Sequence, residues 1–471
     1  MIMVGVPADP ALDALASARP GSFWLDDAPP VDPAPALTGR ASADLAVVGG
    51  GYAGLWTALH AVRRDPGRRV VVLEARECGW AASGRNGGFA EASLTHGLGN
   101  GLARWPDELT RLEELGLANL TGLADDVRGL GIDAQFERVP ALAVATAPWQ
   151  LADLAEEAEV APRYGHDVEL LDAAGARKLV DSPTYLGGLV TRGRSALVHP
   201  GRLARGLREA CLRAGVVVHE HSRVASLERD GVGLRLGTGY GELRADRVAL
   251  ATNAFPPLLR RLRSYVVPVY DYALVTEPLT TEQRAALGWA GRHGISDAGN
   301  QFHYYRLTAD DRVLWGGYDA VYHWRNGLRD ELDQRPATFR LLARQFLETF
   351  PQLEGIRFSH AWGGVIDTCS RFSAFFGTAH RGRLAYAAGY TGLGVTATRF
   401  GAEVVLDLLD GRQTERTELA MVRSTPLPFP PEPLRSAGIN LTRWSLARAD
   451  RTGRRNPWLR ALDRLGMGYD S

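Results

Sequence analysis

The sequence predicts an α/β protein of the mixed α+β kind, in which a parallel-sheet domain is interleaved with a second domain built on an antiparallel or mixed sheet. Three observations carry this prediction. Near the N-terminus, an apolar run ending in glycines is followed by a helical pattern and a second apolar run. Between Tyr265 and Tyr322, β-branched and aromatic residues alternate with turn signals. Near the C-terminus, a strand, a glycine loop and a long helix return to the first pattern.

The first strand–helix–strand unit begins at Asp44. "DLAVVGG" has the continuous apolar character of a strand buried on both faces. "YAGLWTALHAV" has helical spacing, and Pro66 and Gly67 end it before "VVVLEA", a second buried strand. Two such strands joined through a helix imply a right-handed parallel crossover.

The turn between the first strand and the helix contains G-x-G-x-x-G, and Glu74 ends the second strand at the distance this fingerprint requires. Gly49 permits the tight turn, Gly51 lets the backbone approach a pyrophosphate, and Gly54 lets helix and strand pack closely. The helix N-terminus favours phosphate, and Glu74 would accept hydrogen bonds from a ribose. The pattern predicts a Rossmann-like dinucleotide-binding domain; a glycine-rich turn without a ligand is the alternative.

The stretch "ASGRNGGF", Ala82 to Phe89, bears on which dinucleotide binds. The fingerprint alone does not separate FAD from NAD. This stretch lies just past Glu74, where its N–H groups could follow a pyrophosphate and a ring system, and it favours FAD. A solvent-exposed loop is the alternative interpretation.

The order of these patterns predicts an interleaved pair of domains with additional termini. The Pro- and Ala-rich N-terminal extension is expected to be extended or poorly ordered. The predicted segments are the N-terminal extension (1–40), the FAD-binding domain in three parts (41–135, 196–258 and 356–424), the substrate domain in two parts (136–195 and 259–355), and a C-terminal tail with a helix (425–471).

Composition limits the kinds of binding partner, metal site and cellular location that we expect. Lys+Arg and Asp+Glu both number 54, and the resulting zero net charge argues against nucleic acid. Cys78, Cys211 and Cys369 are too widely spaced for a metal or disulfide pattern, which predicts no metal and a cytoplasmic protein. The stretch from Leu45 to Val62 approaches transmembrane length but contains four glycines, so no membrane span is expected.

Several motifs together resemble a known family. "DLAVVGGGYAG", "SGRNGGF", "VHPGRL", "RVALATNAF" and "GYTGLGVTAT" occur in an order similar to that of the D-amino-acid-oxidase superfamily. The sequence looks closest to the branch of γ-glutamylputrescine oxidoreductases and related bacterial enzymes. The resemblance covers roughly residues 40–412 and implies a non-covalently bound FAD, because Cys369 does not align with the covalent cysteine of that family.

The resemblance also implies a path for the cofactor along the chain. Val224 would meet the adenine, and the backbone of "TGLGV" would stabilise negative charge at the pyrimidine edge of the flavin. The residues expected to bind FAD are Gly49, Gly51, Tyr52, Ala53, Gly54, Glu74, Ala75, Arg76, Ser83, Gly84, Arg85, Asn86, Gly87, Gly88, Val224, Ala251, Thr252, Gly389, Gly392, Leu393, Gly394 and Val395.

Four residues are expected to act on the substrate. Tyr305 is the closest match to a substrate-contacting tyrosine of the superfamily, and Arg306 could bind a carboxylate or phosphonate through two hydrogen bonds. Strand alternation places Tyr304 and Arg306 on the face opposite Tyr305, so all three cannot point at one ligand. Tyr390 is expected to wall the pocket. Asp271 or Asp319 could bind a distal ammonium if the substrate is a polyamine derivative.

The function implied is oxidation of a C–N bond in a small amine or amino acid by hydride transfer to flavin N5, with O₂ as the expected acceptor and H₂O₂ as product. Trp315 stands where the sarcosine-oxidase branch carries an oxygen-activating lysine, so a dehydrogenase with another acceptor is an alternative. An NAD(P)-dependent enzyme and a non-catalytic flavoprotein are further alternatives. The oligomeric state is left open.

Overall fold

A computed structural model of the chain describes residues 9–467, and two β-sheets organise it. The strands are β1 (Arg19–Pro20), β2 (Gly39–Val48), β3 (Val70–Leu73), β4 (Phe89–Glu91), β5 (Glu137–Ala145), β6 (Asp167–Asp172), β7 (Gly187–Leu197), β8 (Val217–His219), β9 (Ser226–Asp230), β10 (Gly233–Gly237), β11 (Gly241–Leu250), β12 (Val267–Thr276), β13 (Gly294–Asp297), β14 (His303–Leu307), β15 (Val313–Gly317), β16 (Val321–Tyr322), β17 (Phe358–Thr368), β18 (Phe375–Ala379) and β19 (Leu384–Ala388).

The helices are α1 (Pro10–Leu15), α2 (Phe23–Asp27), α3 (Tyr52–Arg64), α4 (Leu98–Arg104), α5 (Leu109–Gly129), α6 (Gln150–Val160), α7 (Ala173–Leu179), α8 (Pro200–Arg213), α9 (Thr281–Leu287), α10 (Pro336–Thr349), α11 (Gly394–Asp410), α12 (Glu415–Glu418), α13 (Ala420–Arg423), α14 (Leu434–Thr452) and α15 (Pro457–Arg464). The mixed α/β class predicted from the sequence is confirmed.

The first sheet has the strand order β18-β19-β11-β2-β3-β8, and β19, β11, β2, β3 and β8 run parallel. Alternate residues of β3 face opposite cores, so the strand is apolar throughout. Val70 and Val72 pack with helices α3, α5, α8 and α11, whereas Val71 and Leu73 pack with the β9–β10–β11 side. Both faces of the sheet are covered. Because β2 and β3 run parallel, their carboxyl ends lie at the same edge of the sheet, where the fingerprint lies.

The second sheet has the order β1-β17-β12-β15-β14-β13-β5-β7-β4, mostly antiparallel, with α10 packed on one face. Strand β17 falls within the segment 356–424 predicted as FAD-binding, yet it pairs with β12 from Phe358 to Thr368. The chain therefore crosses to the first sheet only after Thr368. Because β17 ends beside the first sheet, its last residues lie between the two domains.

The N-terminal extension is more ordered than the sequence predicts, whereas the C-terminal tail contains helices as expected. Residues 1–8 and 468–471 lie outside the described chain. The rest of the extension contains α1, β1 and α2 before a stretch without helix or strand, and Trp24 is fully buried. Helices α14 and α15 form the end of the described chain and share a small core around Leu446 and Leu459. Within residues 9–467, no helix combines the length and apolar character that a membrane crossing needs.

Candidate active site

A cavity of about 2040 Å³ extends from the fingerprint of the first sheet to the face of the second sheet. Pockets for single small ligands have volumes of roughly 300–1,000 Å³. This cavity therefore has room for a dinucleotide together with a small substrate. Its two ends are built differently.

The fingerprint turn forms the first end, and close backbone contacts fix its glycines. Gly49 has φ +110°, and a Cβ at Gly54 would overlap the carbonyl oxygen of Gly49. Helix α3 starts at Tyr52, whose N–H donates to Ser83 Oγ at 2.9 Å. The positive end of α3 thus lies at the cavity wall, as phosphate binding requires.

Glu74 lies next to this turn with its carboxylate held by three donors. The N–H of Gly50 donates to it at 2.6 Å, and both the N–H of Arg76 and Nε1 of Trp80 donate at 2.9 Å. The Arg76 guanidinium lies 4.2 Å from the centre of the Trp80 ring. Glu74 is buried but lines the cavity, so its oxygens are oriented before a ribose arrives. No sequence motif pointed to Trp80.

The "SGRNGG" stretch is tied together by its own side chains. Asn86 Nδ2 donates to the carbonyls of Ala82 and Ser83, and the N–H of Gly88 donates to Asn86 Oδ1 at 2.8 Å. Arg85 pairs with Asp333. The N–H of Gly88, which we expected from the sequence to bind the cofactor, is therefore already used within the stretch. The stretch forms a wall of the cavity whose shape is fixed by these bonds.

The loop "GYTGLGV" lies at the end of β19 and leads into α11, whose N-terminal residues line the cavity. Asp367, at the end of β17, accepts the N–H of Gly389 at 2.6 Å. Burial raises the pKa of Asp367 to about 6, against the opposing effect of backbone N–H groups. The Thr398 hydroxyl lines the same wall and, within residues 9–467, is buried without a hydrogen-bond partner. Sequence reasoning missed Asp367. Its signal is an acidic residue at the end of the mostly apolar strand pattern "GGVID", where a buried charge needs a partner.

The second end of the cavity is built around Asp271 on β12. Tyr304 Oη donates to Asp271 Oδ2 at 2.6 Å, and the N–H of Tyr272 donates to Oδ1 at 2.9 Å. Burial raises the pKa of Asp271 to about 6. Within residues 9–467 it has no ion pair, because nearby Asp319 takes Arg335 and Arg443. Asp271 is therefore an acid at the cavity wall without a cation.

Small residues allow Tyr304 to reach Asp271. Strand β15 lies between β12 and β14, and Gly316 of β15 faces Ala273 on one side and Tyr304 on the other. A Cβ at Gly316 would lie 2.6 Å from Tyr304 Oη, and one at Gly87 would lie 2.7 Å from the Tyr304 ring. The Tyr304 side chain thus crosses over Gly316. Gly87, in the stretch expected to bind the cofactor, contacts the ring of Tyr304 at the other end of the cavity.

The structure separates the four residues expected at the substrate. Tyr304 and Tyr390 line the cavity, whereas Tyr305 points into the core beside Trp315 and donates to Asp297 Oδ1. Arg306 is fully buried, and its Nη1 donates to the carbonyls of Val198 and Gly88 at 2.7 and 3.2 Å. The strand tyrosine that lines the cavity is therefore Tyr304 and not Tyr305. Strand alternation predicts that the two side chains lie on opposite faces, but it does not predict which face meets the cavity.

The residues expected to bind the cofactor gather at one end of the cavity. All of them line it except Gly54, Gly84, Gly88 and Gly389. These four pack against backbone or buried side chains directly behind the wall. Trp315, which the resemblance matched to the oxygen-activating lysine of the sarcosine-oxidase branch, faces the core and does not line the cavity.

FAD fits the residues present. The open N-termini of α3 and α11, the oriented Glu74 carboxylate and the unpartnered Thr398 hydroxyl offer donors and acceptors along one wall. Glu74 would hold a ribose, α3 the pyrophosphate, and the N-terminus of α11 an electron-rich ring edge. The Cys369 thiol is fully buried outside the cavity, and burial raises its pKa.

Comparison with known proteins agrees with this geometry. The chain is 33% identical over 430 residues to gamma-glutamylputrescine oxidoreductase of Escherichia coli strain K12, covering 87% of this chain and 93% of that protein. It is 28% identical to the probable oxidoreductase OrdL of Haemophilus influenzae, over 80% and 85% of the two chains. Glycine oxidase from Geobacillus kaustophilus shares the fold with a TM-score of 0.67 at 21% identity, over 80% and 96% of the chains.

The family model for FAD dependent oxidoreductases (DAO) matches residues 44–408, which include the fingerprint, both cavity ends and most of α11. The resemblance drawn from the motifs is confirmed, and so is FAD as the cofactor. The chain belongs to the DAO family of FAD dependent oxidoreductases.

Proposed function

We propose that this enzyme oxidises the C–N bond of a small amine that carries a positive charge, giving an imine that hydrolyses to a carbonyl compound. The observation that carries the proposal is Asp271, an acid at the cavity wall with no cationic partner within residues 9–467. A buried carboxylate is stabilised when it binds a cation. A cationic nitrogen of the substrate is the group that completes this site.

Asp271 and Tyr304 divide the work of binding. Asp271 binds the cationic nitrogen, while the Tyr304 hydroxyl orients the carboxylate through its 2.6 Å hydrogen bond. Because a protonated amine cannot release a hydride, the nitrogen that is oxidised first gives its proton to the Asp271 carboxylate or to solvent. Tyr390, in the "GYTGLGV" loop, also lines the cavity. Bound FAD supplies the acceptor for the two electrons and the hydrogen that leave the carbon next to nitrogen. The chain's contribution is to position the substrate and exclude water.

An amine is favoured over an α-amino acid by the position of Arg306. This arginine was expected to bind a substrate carboxylate, but its guanidinium donates to backbone carbonyls away from the cavity. The similarity to gamma-glutamylputrescine oxidoreductase supports a substrate with a charged amine on a longer chain. Non-covalent FAD binding is supported by the buried Cys369, and a cytoplasmic location by three cysteines that are all buried and free.

An anaerobic substrate screen tests the proposal. The FAD-loaded enzyme is mixed with monoamines, diamines, N-acylated diamines including γ-glutamylputrescine, and α-amino acids, and the loss of flavin absorbance is followed. We expect bleaching by cationic amines and, when air is admitted, formation of H₂O₂. Bleaching by amino acids alone, or by none of the compounds, contradicts the proposal. Reoxidation by a dye but not by air would assign a dehydrogenase instead of an oxidase.

A further inference from the structure

The C-terminal helices α14 and α15 carry exposed apolar side chains that the active site does not explain. On α14, Leu434 is 63% exposed, Leu441 41% and Trp444 53%. Their spacing places all three on one face of the helix. Trp444 and Trp324 are the exposed tryptophans within residues 9–467, although the chain contains 11. Trp324 belongs to the loop that holds the start of α14.

This exposed face belongs to a well-anchored helix. Asp450 of α14 accepts the N–H groups of Asn300 and Gln301, both at 2.9 Å. Arg443 pairs with Asp319 of the second sheet domain, and Tyr322 Oη donates to Glu432 just before the helix, at 2.6 Å. The inner face is therefore fixed to the protein, while the outer apolar face has nothing in the described chain to cover it.

The same region concentrates positive charge. Residues 434–467 contain the acids Asp450 and Asp463 and eight arginines, in a chain whose formal net charge is zero. Within residues 9–467, five exposed arginines of this region have no ion pair: Arg448, Arg451, Arg454, Arg460 and Arg464. Asp463 is taken by Arg455. The excess charge is thus presented to the outside.

The surface adjoins the opening of the cavity. Leu434, Leu441 and Leu465 line the cavity and are also exposed, so they lie at its mouth. Leu465, just after α15, is 60% exposed. The Arg448 guanidinium lies 5.9 Å from the centre of the Trp444 ring, so charge and apolar area meet on one side of α14.

We propose that this surface, defined by Leu434, Leu441, Trp444, Leu465 and the five exposed arginines, docks the enzyme onto an anionic lipid bilayer. A helix face with leucine and tryptophan, flanked by arginine, matches the interface between acyl chains and negative headgroups. Docking in this way turns the cavity mouth toward the lipid surface.

Vesicle sedimentation with the FAD-loaded full chain tests this proposal. Vesicles of phosphatidylcholine alone are compared with vesicles that also contain phosphatidylglycerol. We expect at least tenfold more enzyme on the anionic vesicles, with release at raised salt because the attraction is screened. Equal sedimentation with both vesicle types, or with neither, overturns the proposal.

Matched variants distinguish this surface from general stickiness. Trp444→Ser and the double variant Arg448→Glu/Arg451→Glu should each lose vesicle binding by about tenfold, while the flavin spectrum and solution activity are retained. The control is Val232→Ser, which removes an apolar side chain that is 69% exposed on the β9–β10 turn, and should bind as the wild type does. Equal loss in the control contradicts the proposal. So does a wild-type dimer by light scattering that Trp444→Ser converts to a monomer, since a second copy would then cover the surface.

Discussion

The two ends of the cavity recognise their ligands by different means. At the cofactor end, the geometry offers backbone N–H groups of helix N-termini, placed by glycines such as Gly49 and Gly54, where a Cβ would overlap backbone atoms. At the substrate end, the proposed recognition uses the side chains of Asp271 and Tyr304, brought together from strands that are distant in sequence. The first is a property of a short contiguous segment, whereas the second exists only once the sheet has formed. Variants at the two ends should therefore fail in different ways.

The largest effect is expected at the fingerprint. Gly54→Ala places a Cβ inside contact distance of the Gly49 carbonyl, so α3 must move away from β2. We expect loss of most bound FAD, measured as the ratio of flavin to protein absorbance, and a lower melting temperature. The control is Gly129→Ala in α5, where a Cβ meets nothing within 4 Å and FAD should be retained. Full FAD content in Gly54→Ala would mean that close helix–strand packing is not what holds the cofactor site.

The next effect should leave the cofactor end intact. Asp271→Asn removes the negative charge that binds the substrate cation, and we expect kcat/KM to fall by about 100-fold, the value of a charged hydrogen bond. FAD content should not change, because Asp271 makes no contact with the fingerprint. The control is Asp330→Asn, an exposed cavity acid paired with Arg76, where kcat/KM should change by about twofold or less. If Asp271→Asn instead released FAD, the two ends would not be separable.

The same contrast explains what the sequence could predict. The roles of Gly49 and Gly54 follow from steric rules that act within a few residues, so the turn and its helix were predictable. The assignment of Tyr305 over Tyr304 could not be checked, since alternation shows two faces without saying which one meets the cavity. That depended on Gly316, which lets Tyr304 cross β15. The pairing of β17 with β12, which places Asp367 between the sheets, is likewise a long-range event.

Arg306 and the C-terminal tail also show that contacts between residues distant in sequence could not be predicted. In the sequence, Arg306 next to two strand tyrosines suggests a site for a substrate carboxylate. In the structure its guanidinium donates to two backbone carbonyls that only the fold brings near. The helical tail was predicted, but not that α14 would border the cavity mouth. Its position depends on Asp319 and Glu432, which hold it from the sequence-distant second sheet domain and from the preceding turn.

A pair of adjacent tyrosines can sharpen the comparison. Tyr304→Phe removes the hydrogen bond that orients Asp271, and we expect about a tenfold fall in kcat/KM. Tyr305→Phe removes the hydrogen bonds to Tyr185 and Asp297 inside the core, and should cost about 1 kcal/mol in the free energy of unfolding with kinetics unchanged. Steady-state kinetics and urea unfolding of both variants give the two numbers. The reverse pattern would place Tyr305 at the substrate.

The smallest effect is a dependence on pH. Burial raises the pKa of Asp271 from 3.8 to about 6. Only the ionised carboxylate binds a cation, so kcat/KM should be near its plateau above pH about 7, half of it at pH about 6, and fall about tenfold for each pH unit well below that. The effect on stability has the opposite sign. A raised carboxyl pKa means that the folded state favours the proton, so this group contributes added stability as pH falls from about 6 toward 3.8.

Other carboxyls that line the cavity could produce a similar acid limb, and a variant separates them from Asp271. Burial also raises the pKa of Asp367 to about 6 and that of Glu91 to about 7. In Asp271→Asn, the residual kcat/KM should lose its acid limb if Asp271 is the cation site. A limb that persists unchanged in this variant would assign the titration to Asp367, to Glu91, or to Glu157 or Asp333, whose pKa burial also raises. Because Asp367 holds the loop before α11, that result would move the pH dependence from the substrate end to the cofactor end.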